Sequence, residues 1–417
     1  MRIAIIGSGI SGLTAAYLLS PEHEVTVFEA NDYIGGHTNT VDVFVSGRPY
    51  AVDTGFIVFN TQTYPNFTRL MQRLEVPWQP SCMSFSLQCR KTGLVFSPSS
   101  LNSLFAQRIN LLRPAFYRML LDAVRFRRKS LFLLERKDDF TTLNDYLTDH
   151  KFSLWFINHF IIPMGSAIWS SDPEKFRNFP ARYFAEFFYN HGILNVRNQP
   201  QWLVIKGGSR QYVKALIRGF KDRIRTGTPV SAIRRKPDRV EVASARGGTE
   251  IFDQVIIAAH SDQALAMLAD PSDMERDILG NIAYQKNDTV LHTDISVLPS
   301  QRFAWASWNY CNPSDKLGRV AVTYNMNMLQ SLKAEENFCV TLNWTGAIDP
   351  KKILRKFVYH HPVYDPEGLK ARKRHAEING VNRTYFCGAY WGYGFHEDGV
   401  NSALEVCRHF GRTMSGT

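Results

Sequence analysis

The hydrophobic positions of the first thirty residues change period twice. Residues 2–6 (RIAII), in which Arg2 is followed by an uninterrupted apolar run, predict a short buried strand. Residues 13–19 continue with helical spacing, and a second strand-like run ends at Glu29. The glycine-rich segment GSGISG separates the first strand from the helix. This order of strand, tight turn, helix and strand predicts a βαβ unit in a mainly parallel sheet.

The same order of strand, glycine turn and helix recurs late in the chain. A strand leads into Gly207 and Gly208 before a helix that starts near Arg210, and residues 255–259 form another buried strand. Residues 383–410 predict a strand that ends at Gly388, a loop of glycines and aromatics, and a helix that begins near Gly399. Between residues 76 and 200 prolines and aromatics become frequent, which indicates an inserted, mostly helical region.

The GSGISG turn has the glycine spacing of a dinucleotide-binding loop. Gly7 permits the tight turn, Gly9 lets a pyrophosphate approach the backbone, and Gly12 lets the helix pack closely on the strand. The free N–H groups at the helix start, near Ile10 and Ser11, would receive the phosphate charge.

An acidic residue stands where a ribose would lie. Glu29 follows the glycines by about 20 residues, and its carboxylate can accept hydrogen bonds from ribose hydroxyls. The same charge would repel a 2′-phosphate, so NADP is disfavoured here. Chance glycines in a βαβ unit are the alternative interpretation.

The segment after Glu29 resembles a known family. Gly35 and Gly36, followed by His37 and Thr38, are similar to the extended FAD fingerprint of the amine oxidase superfamily, which includes amine oxidases, protoporphyrinogen oxidases and phytoene desaturases. That family usually has Arg where this chain has His37. The resemblance implies FAD as the cofactor and a FAD-dependent oxidoreductase as the activity.

Other segments extend the resemblance toward both ends of the bound flavin. Asp53-Thr54-Gly55-Phe56 resembles the acidic-x-Gly element near the flavin, and Val230 matches a position whose backbone contacts the adenine. The C-terminal loop and helix resemble the closing FAD motif, with free N–H groups expected at the helix start and Asp398 or Asn401 as its cap. The further FAD-binding residues implied are Thr38, Gly55, Val230, Gly388, Asp398, Gly399 and Val400.

These patterns together predict an α/β protein with a Rossmann-like FAD-binding domain interleaved with an α+β substrate domain. Residues 1–75, 200–265 and 380–417 are assigned to the FAD-binding domain. Residues 76–199 and 266–379 are assigned to the substrate-binding domain.

A basic amphipathic region occupies residues 101–137. It holds nine basic and two acidic residues, a net charge of +7, with apolar residues at roughly helical spacing. Pro114 is expected to start or kink a second helix there. Two interpretations stay open: a helix pair on an anionic membrane surface, or surface helices whose apolar stripe faces the core.

Net charge and cysteine content indicate which partners and which cellular compartment to expect. The chain of 417 residues carries a formal net charge of +11, which favours anionic partners, but no nucleic-acid recognition motif is present, so nucleic acid is not expected. Six cysteines without a CxxC pair favour a location in the reducing cytoplasm. If the basic helices bind membrane, the protein is expected to be peripheral at the inner face of the cell membrane. No metal-ligand spacing stands out.

The finer resemblance is to bacterial flavoproteins associated with cyclopropane fatty acid synthases, carried by residues 291–294 (LHTD) and 305–310 (WASWNY). It implies that hydride is transferred from a C–H bond of an apolar substrate to flavin N5, and that this substrate is a fatty acyl chain of a lipid. It also implies a lipid-modifying methyltransferase as a partner. Three alternatives stay open: oxidation of a small amine, a non-redox mutase or isomerase, and a FAD-bearing partner without turnover.

Catalytic residues are harder to identify from this sequence. Lys286 lies in the approximate region where amine oxidases place a lysine near N5, although a surface lysine is the competing interpretation. Tyr310, Tyr390 and Trp391 are candidates to line the flavin face, with core aromatics as the alternative.

Overall fold

The computed structural model describes residues 1–135, 140–192, 200–245, 247–312 and 319–414. In these ranges the chain forms the following strands: β1 Arg2–Ile6, β2 Glu24–Phe28, β3 Thr40–Val45, β4 Arg48–Asp53, β5 Val58–Phe59, β6 Trp78–Pro80, β7 Phe85–Cys89, β8 Leu94–Phe96, β9 Leu203–Ile205, β10 Ile224–Arg225, β11 Val230–Arg235, β12 Val240–Ser244, β13 Gly248–Phe252, β14 Gln254–Ile257, β15 Tyr284–His292, β16 Trp308–Asn312, β17 Ala321–Asn325, β18 Cys339–Leu342, β19 Ile353–Pro362 and β20 Thr384–Phe386.

The α-helices of the same ranges are α1 Ile10–Leu19, α2 Pro65–Arg73, α3 Leu101–Leu104, α4 Pro114–Glu135, α5 Leu143–Asp149, α6 Leu154–Phe156, α7 Ile162–Trp169, α8 Pro173–Phe176, α9 Ala181–Asn190, α10 Arg210–Leu216, α11 Ser261–Met267, α12 Asp273–Gly280, α13 Met326–Leu329, α14 Pro366–Arg372, α15 His375–Ile378 and α16 His396–Arg408. A π-helical turn, Ile157–Ile161, joins α6 to α7. Short 3₁₀ helices span Arg108–Leu112, Ile217–Gly219, Lys221–Arg223, Ile295–Val297, Arg302–Ala304, Thr345–Ala347, Pro350–Lys352 and Ala389–Trp391.

A five-stranded parallel sheet in the order β10-β2-β1-β14-β20 forms the first layer of the fold. Because successive side chains of a strand point to opposite faces, β1 contributes to two cores. Ile3 and Ile5 pack with α1 and α16 on one face, whereas Ala4 and Ile6 pack with the antiparallel meander β11-β12-β13 on the other. Burial on both faces explains the uninterrupted apolar run in the sequence.

A seven-stranded sheet in the order β19-β15-β18-β17-β16-β7-β8 forms the second part of the fold. Its pairs are antiparallel except for β16 with β7. Helices α4 to α9 cover this part, and their aromatic side chains form one buried cluster with residues of β7, β8 and β16. The predicted fold class, a Rossmann-like domain combined with an α+β substrate region, is confirmed.

The basic region has one long helix where the sequence suggested a helix pair. Pro114 is the first residue of α4, as expected, but the preceding residues form only the short α3 and a 3₁₀ helix. The last two residues of the predicted region, Arg136 and Lys137, lie outside the described residues. None of the helices in the described part of the chain is both long enough and apolar enough to cross a bilayer.

A buried ion pair joins the meander to α12. Arg235 of β11 donates to both carboxylate oxygens of Glu275, at 2.7 and 3.0 Å, and to Asp270 Oδ1 at 2.8 Å. The Arg235 and Glu275 side chains are only 3% and 2% exposed. Both ends are therefore desolvated, and removal of one partner leaves a buried charge without full compensation.

Glu275→Ala is therefore expected to lower the free energy of unfolding by about 3–5 kcal/mol, measured by urea titration. The control is Asp238→Ala, which breaks the exposed pair between Arg239 and Asp238 and should leave the urea midpoint near that of the parent. Equal midpoints for both variants would contradict the role given to the buried pair.

Candidate functional site

A cavity of about 740 Å³ opens at the carboxyl ends of β1, β2 and β14. Its wall combines the turn after β1, the first residues of α1, the end of β2, the 35–37 segment and the residues after β14. Ligands of open parallel sheets bind at this edge, where loops and helix N-termini meet. The cavity, called here the first cavity, is thus placed by the sheet topology.

Ten of the sixteen residues predicted to bind the cofactor line this cavity. They are Gly7, Gly9, Ile10, Ser11, Glu29, Gly35, Gly36, His37, Val230 and Gly388. Gly12, Thr38, Gly55, Asp398, Gly399 and Val400 do not line it. The structure therefore brings the two distant glycine turns, at Gly9 and Gly388, into one wall.

The start of α1 offers a cradle for an anionic group. Gly9 is the N-cap of α1, and no side chain caps the helix there. A Cβ added at Gly9 would meet no protein atom within 4 Å, so a side chain would occupy the cavity itself. Gly36 lies against this turn, because its Cβ would come 3.2 Å from Gly9 Cα. Bare backbone and uncapped N–H groups at a helix N-terminus suit a pyrophosphate.

Glu29 is held in the wall by a network of donors. Its Oε2 accepts from the Ser8 amide at 2.9 Å and from Ser8 Oγ at 2.6 Å. Its Oε1 accepts from the amide and the side chain of Asn31, at 2.8 and 2.9 Å. The carboxylate is thereby fixed at the end of β2, where a ribose hydroxyl could share its oxygens.

Two of the predicted glycines act through packing. A Cβ at Gly12 would lie 2.1 Å from Gly7 O, and a Cβ at Gly399 would lie 2.6 Å from Ile10 Cγ2. Both positions are inside the contact between α1 and its neighbours. Gly399 therefore lets α16 approach the start of α1.

The start of the C-terminal helix differs from the prediction. Helix α16 begins at His396, and the amide of Gly399 donates to Phe395 O at 3.1 Å, so Gly399 does not offer a free N–H. Val400 lies inside the helix and is fully buried. Asp398 accepts from the Phe395 amide at 2.9 Å, which extends the helix one turn earlier than the glycine suggested. Burial raises the pKa of Asp398 to about 7.

The 53–56 segment joins three parts of the chain. Asp53 is fully buried and accepts from the Ser209 amide at 3.0 Å and from Gln330 Nε2 at 3.0 Å. Burial raises the pKa of Asp53 to about 6 despite these donors. Gly55 lies against His37, where a Cβ would meet His37 O at 2.1 Å, and it lines a second cavity. Thr38 is buried and hydrogen-bonds to Tyr212.

The second cavity, of about 110 Å³, adjoins the first. Five residues line both cavities and form their common wall: Phe56, Tyr359, His361, Pro362 and Gly394. The rest of the second wall comes from residues 54–58, α7 with Ser170, α13, strands β16 to β18, Tyr364, and residues 393–396 around the start of α16. Its large side chains are mainly apolar or aromatic: Ile57, Val58, Ile168, Trp169, Trp308, Tyr324, Leu329, Leu342, Tyr364, Tyr393 and Phe395.

The second cavity has no charged wall. No Asp, Glu, Lys or Arg belongs to its lining in the described ranges. Its two histidines are neutral near pH 7, because burial lowers the pKa of His361 and of His396 to about 3. A group that enters this cavity therefore meets aromatic and aliphatic surface without a counter-ion.

Asn287 fixes the protonation of His361. The Asn287 amide nitrogen donates to His361 Nδ1 at 2.7 Å, while its oxygen accepts from Asn343 Nδ2 at 2.7 Å. An amide nitrogen can only donate, so Nδ1 of His361 is an acceptor and Nε2 carries the proton. The common wall therefore contains a neutral imidazole of defined tautomer.

His37 lies in an aromatic and imidazole environment. Its ring centre is 5.0 Å from that of Tyr359, 5.8 Å from that of His260 and 5.6 Å from that of His361. Burial, with a smaller contribution from His260, lowers the pKa of His37 to about 3. A neutral His37 cannot supply the charge that the family's Arg would bring to this position.

The structure separates the four candidate catalytic residues. Tyr390 lines the first cavity. Trp391 stacks on His375, with ring centres 4.0 Å apart, and does not line either cavity. Lys286 is exposed on β15 and Tyr310 is buried in the aromatic cluster of α4 to α9, and both are outside the two walls.

Several wall residues were missed by sequence reasoning. Ser8 orients Glu29, and His260, Tyr284, Tyr359 and His361 come from strands or loops far along the chain. The histidine pair at positions 360–361 was visible in the sequence, but its place at the end of β19 depends on pairing with β15.

The first cavity, the uncapped start of α1 and the parallel sheet together define a dinucleotide-binding flavoprotein. The chain matches the family of flavin-containing amine oxidoreductases over residues 10–292, which is more than half of its length. This protein therefore belongs to that family, and it is a FAD-dependent oxidoreductase.

Three relatives illustrate the match. Zeta-carotene desaturase of Capsicum annuum is 37% identical over 75 residues, which are 18% of this chain and only 12% of that protein. A triple mutant of putrescine oxidase has a TM-score of 0.70 at 12% identity, covering 98% of both chains. A CLA-producing fatty acid isomerase from P. acnes has a TM-score of 0.69 at 16% identity, also over 98% of both chains. Structural similarity at such low identity shows the fold alone.

The residues present fit FAD. The uncapped start of α1 and the open Cβ direction of Gly9 would hold the pyrophosphate, and Glu29 the ribose. The common wall separates this dinucleotide cavity from the second cavity. When bound, the flavin supplies a hydride acceptor for a C–H bond.

Gly9→Val should weaken FAD binding while the protein still folds, because a Cβ at this cavity-lining position meets no protein atom within 4 Å. We expect FAD affinity at least about ten-fold weaker by fluorescence titration, since phosphate hydrogen bonds are lost. The control is Gly12→Ala, whose Cβ would clash with Gly7 O and should lower the unfolding midpoint. Normal FAD binding by Gly9→Val would refute the cradle.

His396 should make the protein sensitive to acid. Its pKa is lowered by burial to about 3, so the stability it contributes is present above its unfolded pKa near 6.5 and is lost as pH falls toward 3. In apoprotein, His396→Phe is expected to reduce the slope of unfolding free energy against pH by about 1.4 kcal/mol per unit between pH 6 and pH 4. Urea titrations at several pH values measure this slope.

Phe67→Leu is the matched control, because Phe67 packs on His396 with ring centres 4.5 Å apart. It changes packing without removing a titrating group, so its effect should be the same at each pH. An unchanged slope in His396→Phe would show that His396 does not carry the acid sensitivity.

Proposed function

We propose that this protein oxidises an apolar substrate, a fatty acyl chain of a lipid, by hydride transfer from a C–H bond to FAD. The observation that carries the proposal is the uncharged second cavity beside the common wall. A short apolar segment of an acyl chain gains free energy when it enters this cavity of about 110 Å³, whereas an ion would lose its hydration there without a counter-ion.

The residues of the common wall would position the substrate and exclude water. Phe56, Tyr359 and Pro362 offer aromatic and aliphatic surface, and the neutral His361 adds one N–H donor at Nε2. Exclusion of water and a fixed approach of the C–H bond are the contributions that a protein makes to flavin chemistry. Charged catalytic side chains are not needed for this role.

The relatives support this direction without establishing it. The desaturase of Capsicum annuum is named for carotene, and the isomerase from P. acnes for a fatty acid. Both names describe long apolar substrates of those proteins. The fold of the isomerase is similar to the fold of this chain.

Amine oxidation is the competing function. Trp169, Tyr364 and Tyr393 line the second cavity, and aromatic faces can attract a cation. Putrescine oxidase, whose fold is similar, is named for an amine. The absence of an acidic residue from the described lining makes a diamine less suitable than an acyl chain.

The deciding experiment mixes the FAD-loaded protein anaerobically with unsaturated phospholipids in detergent micelles, and separately with putrescine and cyclohexylamine. Loss of the visible flavin band with lipid alone, together with a newly unsaturated product, is the expected result. Bleaching by amines alone would overturn the proposal. A shifted double bond without net oxidation would also overturn it, because it shows isomerisation.

A charge in the second cavity should separate substrate binding from flavin binding. Ile168 of α7 lines this cavity and does not line the first. Ile168→Glu is expected to lower kcat/KM for the acyl substrate at least about one hundred-fold, because the acyl chain would have to desolvate the carboxylate. FAD content should stay at the parent level.

Ile168→Leu is the matched control and should keep most of the activity, since it preserves volume and apolarity. Parent kcat/KM in Ile168→Glu, at full FAD content, would contradict the assignment of the second cavity to the acyl chain.

A further inference from the structure

The segment from α3 to α4 exposes an unusual number of large apolar side chains. Of the nineteen such side chains that are exposed in the described ranges, nine lie between residues 101 and 132. They are Leu101, Ile109, Leu111, Leu112, Tyr117, Leu121, Val124, Leu131 and Phe132. Leu112, Leu121 and Phe132 are 78%, 66% and 63% exposed. Single exposed apolar residues are ordinary, but a contiguous set marks an interaction surface.

Helix α4 is apolar on two opposite faces. Its inner face contains Phe116, Met119, Phe126 and Leu133, all buried in the aromatic cluster. Its outer face contains Tyr117, Leu121, Val124 and Leu131, which recur at the spacing of one helical stripe. The core-facing interpretation therefore holds for the inner face, while the outer apolar stripe is exposed.

Basic residues flank the outer stripe. At about 100° per residue, Arg118, Arg125 and Lys129 lie on one side of it, Arg127 on the other and Arg128 within it. Within the 101–135 range the acidic residues are Asp122 and Glu135. Asp122 is buried between Arg118 and Arg125, at 3.4 and 3.5 Å, and offsets part of their charge. With seven basic residues against two acidic ones, the 101–135 range keeps a net positive charge.

Neighbouring segments extend this surface. The 3₁₀ helix Arg302–Ala304 packs on α3, and its Phe303 is 65% exposed. Leu154 is also exposed and follows Ser153, whose amide donates to Asp122 Oδ2 at 2.9 Å. The α4 face is defined here as the nine apolar residues above together with Phe303, Leu154 and the flanking basic side chains.

We propose that the α4 face binds the surface of an anionic phospholipid bilayer. Its apolar side chains would enter the acyl boundary, and its arginines and lysine would contact lipid phosphates. Charge complementarity selects this occupant: a basic, apolar, convex helix suits a negatively charged, apolar-cored surface. This inference concerns binding alone and does not depend on the proposed reaction.

The inner side of helix α4 and the second cavity contribute to the same hydrophobic cluster. The inner side chains of α4 belong to the same buried cluster as Trp169 and Tyr364, which line that cavity. A protein docked through the outer stripe would therefore hold its apolar cavity on the side of the molecule that contains this cluster.

The test is co-sedimentation of the FAD-loaded protein with vesicles, without turnover. Vesicles of phosphatidylglycerol and phosphatidylethanolamine should bind the protein, and pure phosphatidylcholine vesicles should bind it at least about five-fold more weakly. Raising the salt from about 0.1 M to about 1 M shortens the screening length from about 10 Å to about 3 Å and should weaken the binding.

Two variants identify the surface. Leu121→Asp combined with Val124→Asp should reduce vesicle binding at least about ten-fold, because the outer stripe loses its apolar centre. Arg128→Glu should reduce it at least about five-fold. The matched controls are Phe44→Asp, which changes an exposed apolar residue of β3, and Lys333→Glu, which makes the same charge change in another part of the surface.

The proposal fails if anionic and zwitterionic vesicles bind equally, or if the controls weaken binding as much as the α4 variants. It also fails if the parent does not sediment with vesicles but forms a dimer that Leu121→Asp dissociates in light scattering, because a second copy would then be the occupant. FAD content and urea midpoints verify that every variant is folded.

Discussion

The close approach of bare backbone at three glycines is the constraint on which the rest of this structure depends. Gly36 lies against Gly9, Gly12 against the carbonyl of Gly7, and Gly399 against Ile10. A side chain at Gly12 or Gly399 would overlap atoms already in place. These contacts bring the start of α1 against the segment after β2 and against α16. The first cavity forms at the sheet edge between the start of α1, the 35–37 segment and residues 388–390.

The two adjoining cavities then differ in their electrostatics. The first has a helix N-terminus and an anchored carboxylate, Glu29, which suit a polar dinucleotide. The second has no charged side chain in its described lining, and its histidines are neutral because burial lowers their pKa. Since His361 lies in the common wall with its tautomer fixed by Asn287, the boundary between the two environments is itself uncharged.

The turn after β1 and the position of Glu29 could be predicted from the sequence because these parts of the first cavity are local, whereas His260, Tyr284 and Tyr359 of the same wall come from distant segments. Gly7, Gly9 and Glu29 are close in the chain, and their spacing encodes their chemistry. The second cavity is different, since Ile168, Trp308 and Tyr364 meet only through sheet pairing and helix packing. The start of α16 was predicted too late in the chain because a glycine at position 399 is typical of a helix boundary. In the structure, position 399 needs a glycine because a Cβ there would overlap Ile10.

Helix α4 also shows that the hydrophobic periodicity of a sequence does not predict which segments come into contact. An apolar stripe in a sequence indicates a face that avoids water, but it does not say what covers that face. In α4 the inner stripe is covered by the aromatic cluster, and the outer stripe is left exposed beside basic side chains, of which Arg118 and Arg125 contact the buried Asp122. Because a stable fold requires only the inner stripe, the outer one is retained at a cost in solubility. Its presence is most simply explained by a partner that is both apolar and anionic.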